Sequence, residues 1–492
     1  MNIRQVILEK TALVWLLLVS TTSCTNQEKK EEKPNIIFIL TDDQQWNTIR
    51  ALGNEHIHTP NIDRIAENSL VFENAYCYGG NSGAVCIPSR NMIMTGQTFH
   101  RFEEDCRKAE ARGEKPRKRH YANPQWPTIP KAMKEAGYQT FYREKSGSAN
   151  NPEIRKQFDD YADIHQVKAL RSGRPARGIV DQAIKFMAED RDPTKPFFMY
   201  LGVPAPHDPR WSLKRFRDMY DKDALPIPEN YLPVHPWNIG SMTVRDEKLE
   251  AWPRTKEAIQ RHIHDYYSTI TATDYDLGRL LDFMEQKGFD KNTIIIFSSD
   301  QGLALGQHGL MGKQNIYEGT MKVPFIVKGP GVIPGKSKAF VYLHDILPTL
   351  CDLAQTETPK NLDGKSFAKL LKGENFIARD YLTLAYMEHQ RSIRDDRWKL
   401  IRFPKIDKHM FFDLQNDPHE TTNLAGKTEH TMRIATMMRE LDRQRLPLGD
   451  SIPLFPEHTE PAEFIAPTKK LKTTFPAGGL APEDPLYVKS KK

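Results

Sequence analysis

Three runs of residues in this sequence are continuously apolar after at most one polar residue: NIIFIL (35–40), FFMYL (197–201) and TIIIF (293–297). A strand with one solvated face would alternate apolar and polar residues, so these runs predict parallel strands that are buried on both faces. In open sheets of this kind, ligands bind outside the carboxyl ends of the strands. The chain is therefore predicted to be an α/β protein, and the polar residues that follow these runs are candidates for a functional site.

A cysteine near the start of a predicted helix is the second constraint. The preceding stretch YGGNSGAV (78–85) is rich in glycine, Pro88 suits the first turn of a helix, and Gly96 suits its end. Cys86 is then at a helix N-terminus, where free backbone N–H groups favour a bound anion, and Arg90 follows one turn later. These residues favour an oxyanion site. As alternatives, Cys86 is a disulfide partner or a buried thiol, whereas a structural zinc site is not expected without a C-x-x-C pair.

The side chains that follow two of the apolar runs carry oxygen ligands. Asp42 and Asp43 follow the first run, and Asp300 and Gln301 follow the third. Three carboxylates and one amide oxygen suit a hard cation, Ca²⁺ or Mg²⁺, better than zinc. Taken singly, aspartates at strand ends are commonly turn or helix-cap residues. Together with the Cys86 segment, they predict a cation site.

Length and charge exclude other classes of protein. With 492 residues, the chain is long enough for one large α/β unit with a smaller appendage, or for two domains. Its net charge of +6 is small for this length, and its hydrophobic residues are not gathered into repeated membrane-length runs. Binding to nucleic acid and a multispan membrane topology are therefore not expected.

The beginning of the chain predicts export. Residues 1–24 combine basic residues, an apolar run and small residues before Cys24, and they resemble the signal peptide of a bacterial lipoprotein. Residues 25–33 are charged, have no apolar side chains to pack, and are interpreted as a tether. The predicted location is the periplasm or the cell surface, with a lipid on Cys24 as the only attachment to a membrane.

The stretch Cys86-Ile87-Pro88-Ser89-Arg90, followed by Thr95-Gly96, resembles the C-x-P-S-R-x₄-T-G signature of the type I sulfatases, whose fold is alkaline phosphatase-like. In that family a formylglycine-generating enzyme oxidises the cysteine to formylglycine, an aldehyde whose hydrate is the nucleophile. The resemblance implies this modification at Cys86, and it implies that Arg90 holds the hydrated aldehyde in place.

Two further segments extend the resemblance. The stretch 300–319 resembles the family's S-D-x-G…G-x-H-G…K…Y-E segment, which implies that Lys313 binds sulfate and that His308 lines the pocket or packs beside the loop. PAPHDP (204–209) resembles P-H-x-P, whose histidine, here His207, faces the leaving group. The implied cation ligands are Asp42, Asp43, Cys86, Asp300 and Gln301, the last standing where the family usually has Asn or His.

One position departs from the family pattern. The family typically has G-K-W-H-x-G where this chain has Glu144-Lys145-Ser146-Gly147-Ser148. Lys145 matches the family's sulfate-binding lysine. Gly147 stands where the family has a histidine that helps to complete turnover. Either another group supplies that proton transfer or turnover is altered, and we favour the first.

The resemblance predicts a catalytic domain over residues 34–375, a C-terminal subdomain over 376–445 and a proline-rich tail over 446–492 laid over the surface. The expected fold is a large, mostly parallel sheet sandwiched by helices, with a smaller C-terminal antiparallel sheet.

Two charged or polar features are less specific. His262 and His264 lie on a predicted amphipathic helix, and we expect them to face solvent or a partner. The charge-rich insertion 101–119 is either a solvated helical face or a contact for extra sulfates of a polyanionic substrate.

The predicted function is hydrolysis of sulfate monoesters on a sulfated carbohydrate. In the implied mechanism the cation polarises the sulfate and the formylglycine hydrate, while Lys145, His207 and Lys313 bind the sulfate or support the departing alcohol. One alternative is a phosphate-ester or phosphonate hydrolase on the same scaffold. Another is a weakly catalytic glycan-binding lipoprotein, which Gly147 favours. The sugar and the sulfated position stay open.

Overall fold

The computed structural model describes residues 32–147, 149–376, 378–469, 471–473 and 478–481. The predicted signal peptide, with Cys24, lies outside the described residues. From Pro34 onward the chain forms one compact unit. Within the described residues, no helix has the length and apolar character needed to cross a membrane.

The strands in the described residues are β1 (Asn35–Thr41), β2 (Leu70–Tyr76), β3 (Gly79–Gly80), β4 (Gln139–Lys145), β5 (Asp160–Ile164), β6 (Phe197–Gly202), β7 (Arg210–Ser212), β8 (Thr293–Ser299), β9 (Phe325–Lys328), β10 (Gly335–Tyr342), β11 (Leu382–Tyr386), β12 (Gln390–Arg394), β13 (Trp398–Phe403), β14 (Lys408–Asp413) and β15 (Gly478–Leu480). The α-helices are α1 (Pro60–Ala66), α2 (Cys86–Thr95), α3 (Phe99–Ala111), α4 (Ile129–Glu135), α5 (Pro152–Arg155), α6 (Gln166–Arg171), α7 (Arg177–Lys185), α8 (Lys214–Arg217), α9 (Lys256–Lys287), α10 (Glu318–Met321), α11 (Ile346–Leu353), α12 (Ala368–Leu371) and α13 (Thr431–Arg445).

The three apolar runs form the middle of an eight-stranded sheet with the order β10-β2-β9-β8-β1-β6-β4-β5. β1 pairs in parallel with β6 on one side and with β8 on the other, so that Ile37 lies opposite both Met199 and Ile295. Among the eight strands, β9 alone runs antiparallel to its neighbours β8 and β2. The prediction of a large, mostly parallel sheet is confirmed.

Both faces of this sheet are covered, which explains why its central strands are apolar throughout. Alternate residues of β1 enter two different cores, with Phe38 on one side and Ile37 on the other. Residues of α2, α4 and α11 contribute to the first core, and residues of α1, α7 and α9 to the second. Fully burying one such side chain stabilises the fold by about 1.5–3 kcal/mol, so a polar residue at these positions would be costly.

The smaller sheet has the order β14-β13-β12-β11-β3. Its four C-terminal strands pair antiparallel, as predicted, whereas β3 comes from the segment before Cys86 and pairs in parallel with β11. Gly79 in β3 has a φ of +113°, and a Cβ there would lie 1.9 Å from the carbonyl oxygen of Ala385. Only glycine therefore allows the Cys86 segment to join this sheet.

The C-terminal tail makes separate contacts along its course. Glu463 forms a bridge with Trp237, and β15 pairs in parallel with β7. The side chain of Leu454 is buried against the core beneath the small sheet.

The prediction that His262 and His264 face solvent is wrong, because most faces of the long helix α9 are covered. His262 is fully buried with Nε2 3.1 Å from a carboxylate oxygen of Glu250, and the Nε2 of His264 lies 3.1 Å from the carbonyl oxygen of Arg217.

Candidate active site

The carboxyl ends of four neighbouring parallel strands, β8, β1, β6 and β4, meet at one end of the large sheet. Because the strands are parallel, residues far apart in the sequence are brought to the same place. The predicted site residues found there are Asp42 and Asp43 after β1, Asp300 and Gln301 after β8, His207 after β6, and Lys145 as the last residue of β4.

Cys86 is the first residue of α2 and lies at the centre of this group. Its Sγ is 3.1 Å from a carboxylate oxygen of Asp42, 3.0 Å from the amide nitrogen of Gln301 and 2.9 Å from Nζ of Lys313. The side chain is fully buried. Burial and the nearby carboxylates of Asp300 and Asp42 raise the pKa of the Cys86 thiol well above its ordinary value. Before any modification, the thiol of Cys86 is therefore held in its protonated form.

Arg90 follows Cys86 by one turn of α2, and its buried guanidinium joins two strand ends. Its Nε donates to Asp300 at 2.8 Å, and Nη1 donates to Glu144 in β4. The nearest oxygen of Asp42 is 3.8 Å from the guanidinium. These contacts fix the start of α2, and with it Cys86, against the end of the large sheet.

Two lysines bring positive charge to the floor of the site. Lys145 forms an ion pair with Asp42, and Lys313 donates to both oxygens of Asp43 at 2.8 and 2.9 Å. Burial opposes the charge on Lys313, but Asp43 and other anionic neighbours hold its pKa well above the ordinary value. Both lysines are placed to bind an anion beside Cys86.

The chemistry of the buried donors fits a cation. Ligand atoms of Asp42, Asp43, Cys86 and Asp300 all lie within 4.8 Å of one another, and all four side chains are buried. Burial, together with the charge of Asp42, raises the pKa of Asp43 above its ordinary value although Lys313 opposes the rise, so the buried carboxylates can accommodate further positive charge. The side-chain amide nitrogen of Gln301 donates to Asp43 at 2.6 Å. The side-chain oxygen of Gln301 is buried and has no hydrogen-bond partner among the described residues. A divalent cation would supply both that charge and a partner for this oxygen.

His207 is held as a neutral ring in a defined tautomer. Its Nδ1 lies 2.6 Å from the carbonyl oxygen of Asp208, which only accepts hydrogen bonds, so Nδ1 carries the proton. Its Nε2 therefore accepts from Nη2 of Arg245 at 3.2 Å. Burial and the cations Lys313 and Arg245 lower the pKa of His207 well below its ordinary value.

A cavity of about 370 Å³ opens beside these residues. It is lined by Gly83, Ala84, His207, Val244, Arg245, Asp246, Lys313 and Gln314. Two larger cavities, of about 480 and 580 Å³, lie elsewhere, and the predicted catalytic and cation-binding residues do not line them. The smaller cavity is therefore the candidate substrate pocket, and its volume lies within the range of small-molecule sites.

His308, predicted to bind substrate or to pack beside the loop, has the contacts of a packing residue. Its ring stacks on Tyr317 with the ring centres 3.8 Å apart, and its Nε2 is 3.1 Å from the amide nitrogen of Asn230. It does not line the candidate pocket. The structure therefore favours packing, because the ring is enclosed between Tyr317 and a polar loop.

Gly147, just beyond the end of β4, is in close contact with another side chain. A Cβ at this position would lie 2.5 Å from the side-chain oxygen of Gln166, at the mobile end of that side chain. A larger residue therefore fits only if Gln166 turns away.

Several residues of the site escaped the sequence analysis. Glu144 binds Arg90, and its signal in the sequence is that it stands in a run of three charged residues, 143–145, at the end of a predicted strand. Arg245 and Asp246 belong to an irregular segment that matches no quoted motif.

Three arginines of the insertion 101–119 form ion pairs within the insertion, as expected of a solvated helical face, whereas Arg101 pairs with Asp363 outside it. The ion pairs are Arg112 with Glu114, Arg117 with Asp105, and Arg119 with Glu110.

The remaining cysteines in the described residues, Cys77, Cys106 and Cys351, are unpaired thiols, as is Cys86.

Comparison with known proteins agrees with this geometry. The sulfatase family matches residues 34–356, and the C-terminal region of the N-sulphoglucosamine sulphohydrolases matches residues 306–446. An N-acetylglucosamine-6-O-sulfatase of Bacteroides thetaiotaomicron is 27% identical over 90% of this chain and 92% of its own length. An arylsulfatase of Clostridium perfringens is 30% identical over 84% of this chain and 94% of its own length.

Solved structures with the same fold include one in complex with its substrate D-glucosamine-2-N,6-O-disulfate. It is 26% identical, has a TM-score of 0.71, and the match covers 87% of this chain and all of that one. A phosphonate monoester hydrolase of Silicibacter pomeroyi, 21% identical with a TM-score of 0.68 over 85% of this chain and 96% of its own, shares the fold. Because the family match covers well over half of the sequence and the site retains its motif residues, this chain belongs to the sulfatase family.

Proposed function

We propose that this sulfuric ester hydrolase acts on a sulfated carbohydrate, with Cys86 converted to formylglycine and Ca²⁺ as the resident cation. The observation that carries the proposal is the position of Cys86, whose Sγ is clustered with the carboxylates of Asp42, Asp43 and Asp300 and lies 2.9 Å from Nζ of Lys313. The sulfatase family generally uses a metal ion and formylglycine. Relatives named for sulfated sugars, the N-acetylglucosamine-6-O-sulfatase among them, support a carbohydrate substrate.

The burial of the ligands favours Ca²⁺ over Mg²⁺. The residues Asp42, Asp43, Asp300 and Gln301 are at most 2% exposed. Mg²⁺ usually keeps several of its waters, whereas Ca²⁺ accepts six to eight oxygen ligands in flexible geometry. A buried, carboxylate-rich site that leaves little room for water therefore suits Ca²⁺.

Each side chain has a separate part in the reaction. When bound, the cation and the formylglycine hydrate supply Lewis-acid polarisation and an oxygen nucleophile for sulfur. Lys145 and Lys313 bind sulfate oxygens, and Arg90 holds the start of α2 against the strand ends. Because Nε2 of His207 accepts a hydrogen bond here, Lys313 is the donor to the departing oxygen and His207 orients the alcohol.

The formylglycine-generating enzyme is the partner required for maturation. Export and a lipid anchor on Cys24 are also part of the proposal, supported by the residues 1–24. Growth with a radiolabelled fatty acid tests the anchor. Label is expected in the wild-type protein and should be absent from the Cys24→Ala variant.

Release of inorganic sulfate tests the activity most simply. The substrates are N-acetylglucosamine 6-sulfate, D-glucosamine-2-N,6-O-disulfate and an aryl sulfate, with an aryl phosphate and a phosphonate monoester alongside. We expect sulfate release that is lost in Cys86→Ala. Faster hydrolysis of the phosphorus esters would favour the phosphonate hydrolase alternative, to which the fold neighbour points. Glycan binding without hydrolysis would favour the weakly catalytic lipoprotein.

A further inference from the structure

Arg245 is the most exposed cation on the wall of the candidate pocket. Its side chain is 34% exposed, whereas those of His207 and Lys313 in the same wall are 5% and 2% exposed. The segment that carries Arg245 lies outside every motif used to recognise the sulfatase family here. Among the residues of the proposed reaction its only contact is the hydrogen bond to Nε2 of His207, and it has no assigned role toward the reacting sulfate itself.

Two buried carboxylates hold the guanidinium in place. Arg245 donates from Nε to Asp246 at 2.9 Å and from Nη2 to Asp208 at 3.0 Å. Asp208 is only 3% exposed and does not line the cavity, whereas Asp246 is 9% exposed and lines the cavity beside Arg245. Arg245 is therefore the most exposed of the three charged groups, although one of its two anionic partners shares the cavity wall. Gln314 fixes Asp246 in turn, and it also donates to the carbonyl oxygen of Gly83, close to Cys86 in the chain. Arg245 is therefore oriented before any ligand binds.

The hydrogen bonds of Arg245 leave part of its guanidinium available. In the described residues they use Nε and Nη2, and Nη1 has no protein partner among them. An arginine held in this way offers donors in a fixed plane, which suits the oxygens of a sulfate or a carboxylate.

Arg245 makes no hydrogen bond or ion pair with Cys86 in the described residues. The two are linked only indirectly, through Lys313, Asp43 and His207. In the proposed reaction the sulfate ester binds at Cys86 and at the buried lysines Lys313 and Lys145, so the more exposed Arg245 is left for another group of the substrate.

We propose that Arg245 forms a subsite for a second anionic group, a sulfate or a carboxylate, on the sugar that carries the reacting ester. This inference rests on the proposed function. It assigns to the enzyme a substrate with at least two negative groups.

The test measures binding by calorimetry in a Cys86→Ala background, in which no ligand is consumed. The probes are N-acetylglucosamine 6-sulfate, D-glucosamine-2-N,6-O-disulfate, and N-acetylglucosamine 6-sulfate linked to a uronic acid. Each is titrated into protein with Arg245, Arg245→Gln or Arg245→Lys. Arg112→Gln is the control, because Arg112 is an exposed arginine paired with Glu114 in the insertion.

We expect the protein with Arg245 to bind at least one of the dianionic probes about tenfold or more tightly than the monosulfate. Arg245→Gln should remove most of that preference, and Arg245→Lys, which keeps the charge, should retain part of it. The preference should be unchanged in Arg112→Gln. A preference for the disulfate would mean that the subsite binds sulfate. A preference for the probe linked to a uronic acid would mean that it binds carboxylate.

An equal loss of affinity for all probes in Arg245→Gln would overturn the subsite and assign Arg245 to the reacting sulfate. No preference in the protein with Arg245, or no binding of any probe, would overturn it as well. Failure of the proposed function is separate, because it shows as absent sulfate release by the wild-type enzyme whatever Arg245 binds.

Discussion

Replacing Arg90 with methionine is expected to destabilise the fold strongly as well as abolish activity. The guanidinium is fully buried and donates to Asp300 and Glu144. Because these carboxylates are buried too, solvent does not reach them when the guanidinium is removed. Breaking a buried ion pair by removing one partner typically costs about 3–5 kcal/mol, because the other charge stays buried and unpaired.

The surroundings place the expected loss near the lower end of that range, about 3 kcal/mol. Asp300 keeps hydrogen bonds from the backbone N–H groups of Asp43 and Gln301, at 3.1 and 3.0 Å. Glu144 keeps a hydrogen bond from the hydroxyl of Tyr200 at 2.9 Å. These neutral donors compensate part of the lost charge on each carboxylate.

Urea unfolding followed by tryptophan fluorescence measures the effect. It is carried out with chelator and again with Ca²⁺, because Asp300 is also a proposed cation ligand. Arg112→Met serves as control, and as an exposed site it should change the free energy of unfolding by less than about 0.5 kcal/mol. Adding Glu144→Gln to Arg90→Met should restore about 1 kcal/mol or more, since it removes one of the unpaired charges.

A loss below about 1 kcal/mol in Arg90→Met would refute the reasoning, since it would mean that the guanidinium does not neutralise buried carboxylates. The same holds if Glu144→Gln in the double variant gives no recovery.

Three further outcomes are expected. Cys86→Ala should abolish sulfate release, because the residue supplies the nucleophile, and should leave the melting temperature nearly unchanged, because the ion pairs of Lys145 and Lys313 with Asp42 and Asp43 stay in place. Substantial residual turnover would contradict this. Asp300→Ala should lose bound Ca²⁺, measured by elemental analysis, together with activity, and full metal content in the variant would argue against the ligand assignment. Gly147→His should bring little gain in turnover and should displace Gln166. Rapid mixing with an aryl sulfate is the assay. If the wild-type enzyme shows a rapid first release of alcohol that Gly147→His abolishes, then no other group had replaced the family histidine.

The large sheet and the centre of the site were predictable because their signals are local. Runs such as NIIFIL report burial on both faces, and the polar residues that end them, Asp42 and Asp300 among them, are marked as candidates by their position alone. The pairing of β1 with β8, which brings these two side chains together, came from the structure. The segment from Cys86 to Arg90 carries its own motif. Each of these inferences needs only the residues next to one another in the chain.

The features that escaped prediction depend on packing between distant segments. Arg245 reaches His207 and Asp208 from an irregular segment whose path is set by its neighbours, and no spacing in the sequence encodes it. The histidines of α9 were assigned to the surface because the helix pattern is amphipathic, but Glu250 and Arg217 cover that side. The exclusion of His308 from the pocket likewise follows from its stacking on Tyr317.

The chemical state of residue 86 tests the central claim most directly. Tryptic cleavage after Arg64 and Arg90 yields one peptide, residues 65–90, that contains both Cys77 and Cys86. Cys77 serves as an internal control, because it is alkylated after denaturation as an ordinary thiol. In enzyme purified from a host that has the maturation enzyme, we expect a peptide alkylated at Cys77, with an aldehyde at position 86 that reacts with a hydrazide. Fully active enzyme in which both cysteines are alkylated and no aldehyde is found would contradict the account.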